Sequence, residues 1–164
     1  MSKTKLLFIA LNLVFLLGYF NWSVISKEKT LDTGRLVLLE LEPVDPRSLM
    51  QGDYMRLRYT INDTDSLKVS KRGFCILKDD NKGVAQRVRF QKELQPLSSG
   101  EFGIRYFSNT TKYSMDVHVG AESYFFEEGS GKRYENAVYG GLRVDDAGNS
   151  VLTGLYDEKY RLIK

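Results

Sequence analysis

The stretch from Val44 to Ile61, VDPRSLMQGDYMRLRYTI, decides how this chain is read. Asp45 can cap a helical turn, Pro46 suits its first position, and Gly52 stands where a left-handed exit residue belongs. From Asp53 onward the pattern has period two. Met55, Leu57, Tyr59 and Ile61 fall on one face, and Tyr54, Arg56, Arg58 and Thr60 on the other. The first face is a core face. The second sets an aromatic ring beside two guanidinium groups, which suits cation–π stacking or a recognition surface.

Outward from this corner the sequence is rich in strands. Arg35 to Glu42 carries nearly continuous apolar character, as a strand covered on both sides does, and Pro43 ends it. Gly73–Lys78 and Val84–Glu93 flank Asp79-Asp-Asn-Lys-Gly83, a hairpin signal. In the second arm Val84, Val88 and Phe90 are expected on one face, with Arg87 and Arg89 together on the other. Phe102, Ile104 and Tyr106 alternate, then Tyr113, Met115, Val117 and Val119, with His118 facing the opposite way. Ser130 is positioned to start a short helix over Lys132–Ala137, and Val138–Asp145 with Val151–Tyr156 form a second hairpin about Asp146-Ala-Gly-Asn149. Short strands at regular spacing with little helix predict a mainly β domain, a sandwich or partly open barrel with short helical turns.

Lys3 and Lys5 precede a run from Leu6 to Phe20 that extends through Trp22 to Ile25, about the 20 residues a spanning helix needs. Tyr19 and Trp22 fit an interfacial aromatic belt. A cleaved signal peptide has the same charged start and apolar middle, but no small-x-small site follows here. Ser23 and Ser26 are a weak substitute, so an uncleaved transmembrane anchor is expected. The predicted organisation is an anchor over 1–26, a polar linker over 27–34 and an exported β-rich domain over 35–164. Lys3, Lys5 and the amino terminus favour a cytoplasmic start, although Lys27 and Lys29 blunt the asymmetry. The domain is therefore placed outside the cytoplasm, in the periplasm or at the cell surface of a bacterium.

Composition narrows the function classes. A chain of 164 residues with formal charge +3 and interspersed acidic and basic residues has no nucleic-acid footprint. Cys75 and His118 are single, so neither a disulfide nor a zinc cluster is expected, and a catalytic thiol lacks a nameable third group. Gly129-Ser-Gly-Lys132 has the wrong spacing for a phosphate-binding loop, and Arg133 stands where Ser or Thr belongs. Glu122, Glu127 and Glu128 match no calcium loop and read as strand-edge charges rather than an acid/base pair. Ser48, with Lys68 or Lys71 as base, sketches a hydrolase of the Ser/Lys signal-peptidase type. The spacing fails, because Leu49 follows the serine and only Met50 and Gln51 separate it from Gly52. No cofactor, metal or catalytic residue is expected.

Gly52, Asp53, Tyr54, Leu57 and Tyr59 spell GDYxxLxY, and with the preceding Pro43–Gln51 segment the chain resembles the bacterial GDYxxLxY family, membrane-anchored proteins of uncharacterised function. A second block, Glu122 to Glu135, and the last hairpin, Leu142 to Leu155, are similar too. The resemblance marks Gly52, Asp53, Tyr54, Arg56, Leu57, Arg58 and Tyr59 as a motif and interaction candidate. In the second block it marks Glu122, Tyr124, Glu128, Gly129, Gly131 and Glu135. It carries over no catalytic residue. Because members often accompany multi-span membrane proteins, it implies a non-enzymatic accessory protein of a membrane complex. A small-ligand or glycan-binding domain using Tyr54, Arg56 and Arg58 is the remaining alternative.

Overall fold

The computed structural model describes residues 3–42, 50–51, 54–62, 69–80, 82–110 and 115–164. Helix α1 (Lys3–Thr33) is followed by β1 (Arg35–Glu40), β2 (Met50–Gln51), β3 (Tyr54–Arg56), β4 (Arg72–Asp79), β5 (Ala85–Gln91) and β6 (Glu101–Thr110). Then come β7 (Met115–His118), β8 (Ser123–Phe125), β9 (Tyr139–Val144) and β10 (Ser150–Tyr156), with 3-10 turns at Thr60–Asn62 and Gly131–Tyr134. The fold is mainly β behind one long apolar helix. Three sheets, ordered β1-β9-β10, β2-β3-β8 and β5-β4-β6-β7, curl into a half-barrel around one core. An isolated bridge from Leu38 to Val84 joins the first sheet to the third, and one from Leu41 to Tyr59 leads toward the second.

At about 1.5 Å per residue the 31-residue α1 is roughly 46 Å long. From Leu6 to Ile25 its large apolar side chains are exposed on every side, and among the described residues it is the one helix long and apolar enough to cross a membrane. A helix apolar all round with no protein packed against it has its natural solvent in lipid. The segment expected as a linker is helical to Thr33, because Lys27, Glu28 and Lys29 are sound helix formers and no glycine intervenes before Gly34.

The period-two reading of the motif strand holds for burial. Met55, Leu57, Tyr59 and Ile61 are all in the core, while Arg56, Arg58 and Thr60 are exposed. Regular pairing stops earlier than the pattern suggests. After Arg56 the chain keeps only the Leu57 N–H bond to the Glu122 carbonyl (2.8 Å) and the Tyr59 bridge, then tightens into the 3-10 turn. The helical turn expected before Gly52 lies outside the described residues.

Both hairpins form, β4–β5 and β9–β10. The faces of β5 differ from expectation. A register shift pairs Ile76 with Arg89 but Leu77 with Arg87, leaving Val88 as the extra residue of a bulge. The bulge reverses side-chain parity, so Arg87 and Arg89 part. Arg87 donates to the Ile61 carbonyl (2.7 Å) and lies over the Phe90 ring, whereas Arg89 forks onto both carboxylate oxygens of Glu101 (2.7 and 2.9 Å). The displaced Val88 is left half exposed. The helix expected over Lys132–Ala137 is the single 3-10 turn at Gly131–Tyr134, and Ser130 makes no side-chain cap. Its hydroxyl donates to the Glu127 carbonyl instead.

Strand β9 is the spine of the first sheet, and its Gly140-Gly141 pair explains how. A Cβ on Gly140 would lie 2.8 Å from the Tyr59 ring, and one on Gly141 would collide with the Tyr156 ring. Successive residues point to opposite faces, so the two glycines let a tyrosine lie against the strand on either side.

Candidate interaction surface

Pairing of β3 with β8 builds the candidate site. Tyr54 is opposite Phe125, Met55 opposite Tyr124 and Arg56 opposite Ser123. Partners across an antiparallel pair share a face, so Met55 and Tyr124 turn inward while Tyr54, Arg56, Ser123 and Phe125 turn outward. The Tyr54 ring meets Phe125 at 5.6 Å between centroids, and Phe125 is 72% exposed. Arg56 is exposed next to this pair. Arg58 continues the row, with its guanidinium 3.2 Å from Glu42 and 3.8 Å from Asp116. Such exposed pairs contribute little stability but do hold an orientation. The row therefore presents two aromatic rings and two arginines, the side chains that dominate binding energy at protein interfaces.

The remaining motif residues support this surface from below. Leu57 is buried, and the wholly buried Tyr59 donates its hydroxyl to the Ala121 carbonyl at 2.6 Å, four residues before Phe125. Burial, reinforced by the nearby Glu122 charge, pushes the Tyr59 hydroxyl far above the ordinary phenol range, so it stays a donor. Gly52 and Asp53 lie outside the described residues.

The second block forms the turn that carries β8. Glu122 Oε1 accepts from the backbone N–H groups of Val119 (2.5 Å) and Gly120 (3.2 Å), a lock on the left-handed Gly120 at φ 81°. Tyr124 points inward onto Tyr134, with centroids 5.1 Å apart, and burial together with Tyr134 pushes its hydroxyl up to about 12. Phe126 stacks on the same Tyr134 ring at 5.4 Å. Glu128 and Glu135 are exposed, Gly129 takes φ 80° and Gly131 is buried. Glu122 is thus a turn lock, while Glu128 and Glu135 face solvent at the ends of the Gly129–Tyr134 corner.

The other chemical candidates are placed as follows. Cys75 points into the core, and burial pushes its thiol up to about 12. His118 stacks on Phe107 at 5.0 Å on the far face of the same sheet, so thiol and imidazole look in opposite directions. Among the described residues no group of three or more His, Cys, Asp or Glu is placed to hold a metal ion. Ser48 and Lys68 lie outside the described residues, and Lys71 is exposed. The Tyr54–Phe125 contact escaped the sequence reading, which paired Tyr54 with its own strand's arginines. The available signal was the alternation Ser123, Phe125 about Tyr124, which marks Phe125 as outward once Tyr124 is placed inward.

A family model described as GDYXXLXY protein matches residues 16–155, from the middle of α1 to the end of β10. No curated protein and no solved structure matches the chain.

Proposed function

We propose that this chain, which belongs to the GDYXXLXY family, is a membrane-anchored interaction protein without catalytic activity, an accessory subunit of a bacterial membrane complex. The anchor is α1, and the β-rich domain stands outside the cytoplasm. The exposed Phe125–Tyr54 pair flanked by Arg56 carries the reading, because a large apolar ring held rigidly in water suits a protein contact. Tethering then confines the search to the membrane plane and raises the local concentration of this face near an embedded partner. A multi-span membrane protein is the partner this arrangement suits.

The test is chemical crosslinking of the full-length protein in membranes, followed by detergent extraction and identification of what is joined to it. A multi-span protein should be captured by the wild type and by Ser48→Ala, with recovery reduced about tenfold or more by Tyr54→Ala or Phe125→Ala. Capture unaffected by either aromatic change would remove this surface from consideration. A peptidase activity abolished by Ser48→Ala in a folded protein would replace the accessory role with hydrolysis.

A further inference from the structure

Helix α1 does not end in a flexible joint. Thr30, only 2% exposed, donates its hydroxyl to Asp145 Oδ2 at 2.9 Å, and Arg143 donates to the Gly34 carbonyl at 2.7 Å. A Cβ on Gly34 would collide with the Thr30 carbonyl oxygen and lie 3.1 Å from that of Val144, so strand and helix meet with no room between them. The domain is therefore fixed against the last turns of the helix, and the parts beside those turns face back along it toward the lipid. Between helix and domain lies a cavity of about 320 Å³, whose walls include Trp22, Ser23, Ser26 and Lys27 from the helix and Arg105 and Ser150 from the domain.

Three properties of this cavity bear on what it holds. Its depth is set by the helix, because the apolar run closes at Ile25 and Trp22 stands at the level of an interfacial aromatic. The charged side chains that line it are cationic: Lys27 and Arg105 stand there with serine hydroxyls, no Asp or Glu is among the described lining residues, and the Asp145 carboxylate lies behind the wall, capped by Thr30 and Asn149. Its walls are set in advance, since Arg105 Nε is bonded to the Ala147 carbonyl at 3.0 Å and the Ser150 hydroxyl to the Val119 carbonyl at 3.1 Å. The neighbouring cleft differs in the second respect. It is lined by Lys29 and Arg35 but also by Asp145 and Asp146, which offset them.

We propose that the cavity between Trp22, Lys27 and Arg105 binds the phosphate of an anionic phospholipid headgroup, with the glycerol against the indole and the acyl chains running down α1. This rests on α1 being seated in a bilayer, as the proposed function holds. Bound lipid at this point would fix the height and tilt of the domain, because the cavity is walled by both.

Trp22 is the one tryptophan of the chain, so its fluorescence reports on the lipid at the mouth of this cavity. The full-length protein is reconstituted in phosphatidylcholine vesicles containing a minor fraction of brominated phosphatidylglycerol, or the same fraction of brominated phosphatidylcholine. Quenching by both lipids is expected, with phosphatidylglycerol favoured roughly fivefold or more. Lys27→Gln and Arg105→Gln should each bring the ratio close to one. Lys29→Gln should leave it unchanged, and so should Arg105→Lys, which keeps the charge if the guanidinium also serves the fold. A ratio near one for the wild type, or equal loss in Lys29→Gln, overturns the site in favour of diffuse surface charge. Loss of the preference on adding inorganic phosphate, but not chloride at equal ionic strength, would make a free anion the ligand and overturn the lipid assignment. Quenching by neither lipid would overturn the seating of α1 as well as the site.

Discussion

Tyr59→Ala is expected to lower the unfolding free energy by about 3–5 kcal/mol, the cost of removing a large buried ring and leaving a cavity. Among the described residues Tyr59 is the largest side chain with no exposure, and it touches three parts of the molecule at once. Its ring lies against Gly140 of β9, its hydroxyl is bonded to Ala121 ahead of β8, and its backbone bridges Leu41 after β1. Tyr59→Phe keeps the ring but leaves the Ala121 carbonyl without its donor, for a cost of about 1–2 kcal/mol. Gly140→Ala attacks the same contact from the other side and should cost about 1–3 kcal/mol through overpacking. Denaturant unfolding of the full-length protein in detergent, followed by near-ultraviolet circular dichroism, measures all three. If Tyr59→Ala unfolds within about 1 kcal/mol of the wild type, the ring is not the pin that joins the sheets, and the order of the three costs is meaningless.

That one residue also marks the boundary of what could be read from the sequence. Period-two patterning is local information, so the burial of Met55, Leu57, Tyr59 and Ile61 was legible without knowing any partner. What they pack against was not, because strand order is decided between segments distant in the chain. Gly140-Gly141 inside an apolar strand was a visible sign of close approach, yet nothing in the sequence says that Tyr59 and Tyr156 are the rings that approach. The β5 bulge failed for a different reason. One extra residue reverses parity, and no glycine or proline near Val88 announces it. The helicity of Lys27 to Thr33 was hidden because polarity is not a stop signal: the segment is polar and helical, and the stop is Gly34.

The candidate surface divides in the same way. Tyr54, Arg56 and Arg58 were recognisable as an outward row, because parity alone assigns them. Phe125, the most exposed ring of that face, belongs to it only through the β3–β8 register. The same pairing gives the family motif and the second family block a common physical role. One supplies β3 and its buried support, the other supplies β8 and the turn that carries it, and neither strand has a face to present without the other.

Asp145→Ala is expected to detach the helix end from the domain and to cost about 2 kcal/mol, toward the lower end for hydrogen bonds to a charged group because the carboxylate is only partly buried. This carboxylate accepts four hydrogen bonds. Oδ1 takes the N–H groups of Ala147 (3.0 Å) and Asn149 (2.9 Å), and Oδ2 takes the Asn149 amide and the Thr30 hydroxyl (2.9 Å each). Burial alone would raise the pKa of Asp145, but the bonds from Asn149, Thr30 and Ala147 outweigh it and hold the group below the ordinary aspartate value. A folded-state pKa below the unfolded one contributes stability that is present above the unfolded value and lost as pH falls through the folded one. The junction should therefore hold at neutral pH and weaken progressively below about pH 4. Amide hydrogen exchange separates this from general destabilisation. Around Thr30 and Gly34 it should quicken about tenfold or more in Asp145→Ala at neutral pH, while β4 and β6 stay protected. In the wild type the same local loss should appear on acidification, and Asp145→Ala should have little left to lose there. Equal quickening across β4 and β6, or an unchanged helix end, would mean that the helix and the domain are held together by something other than this carboxylate.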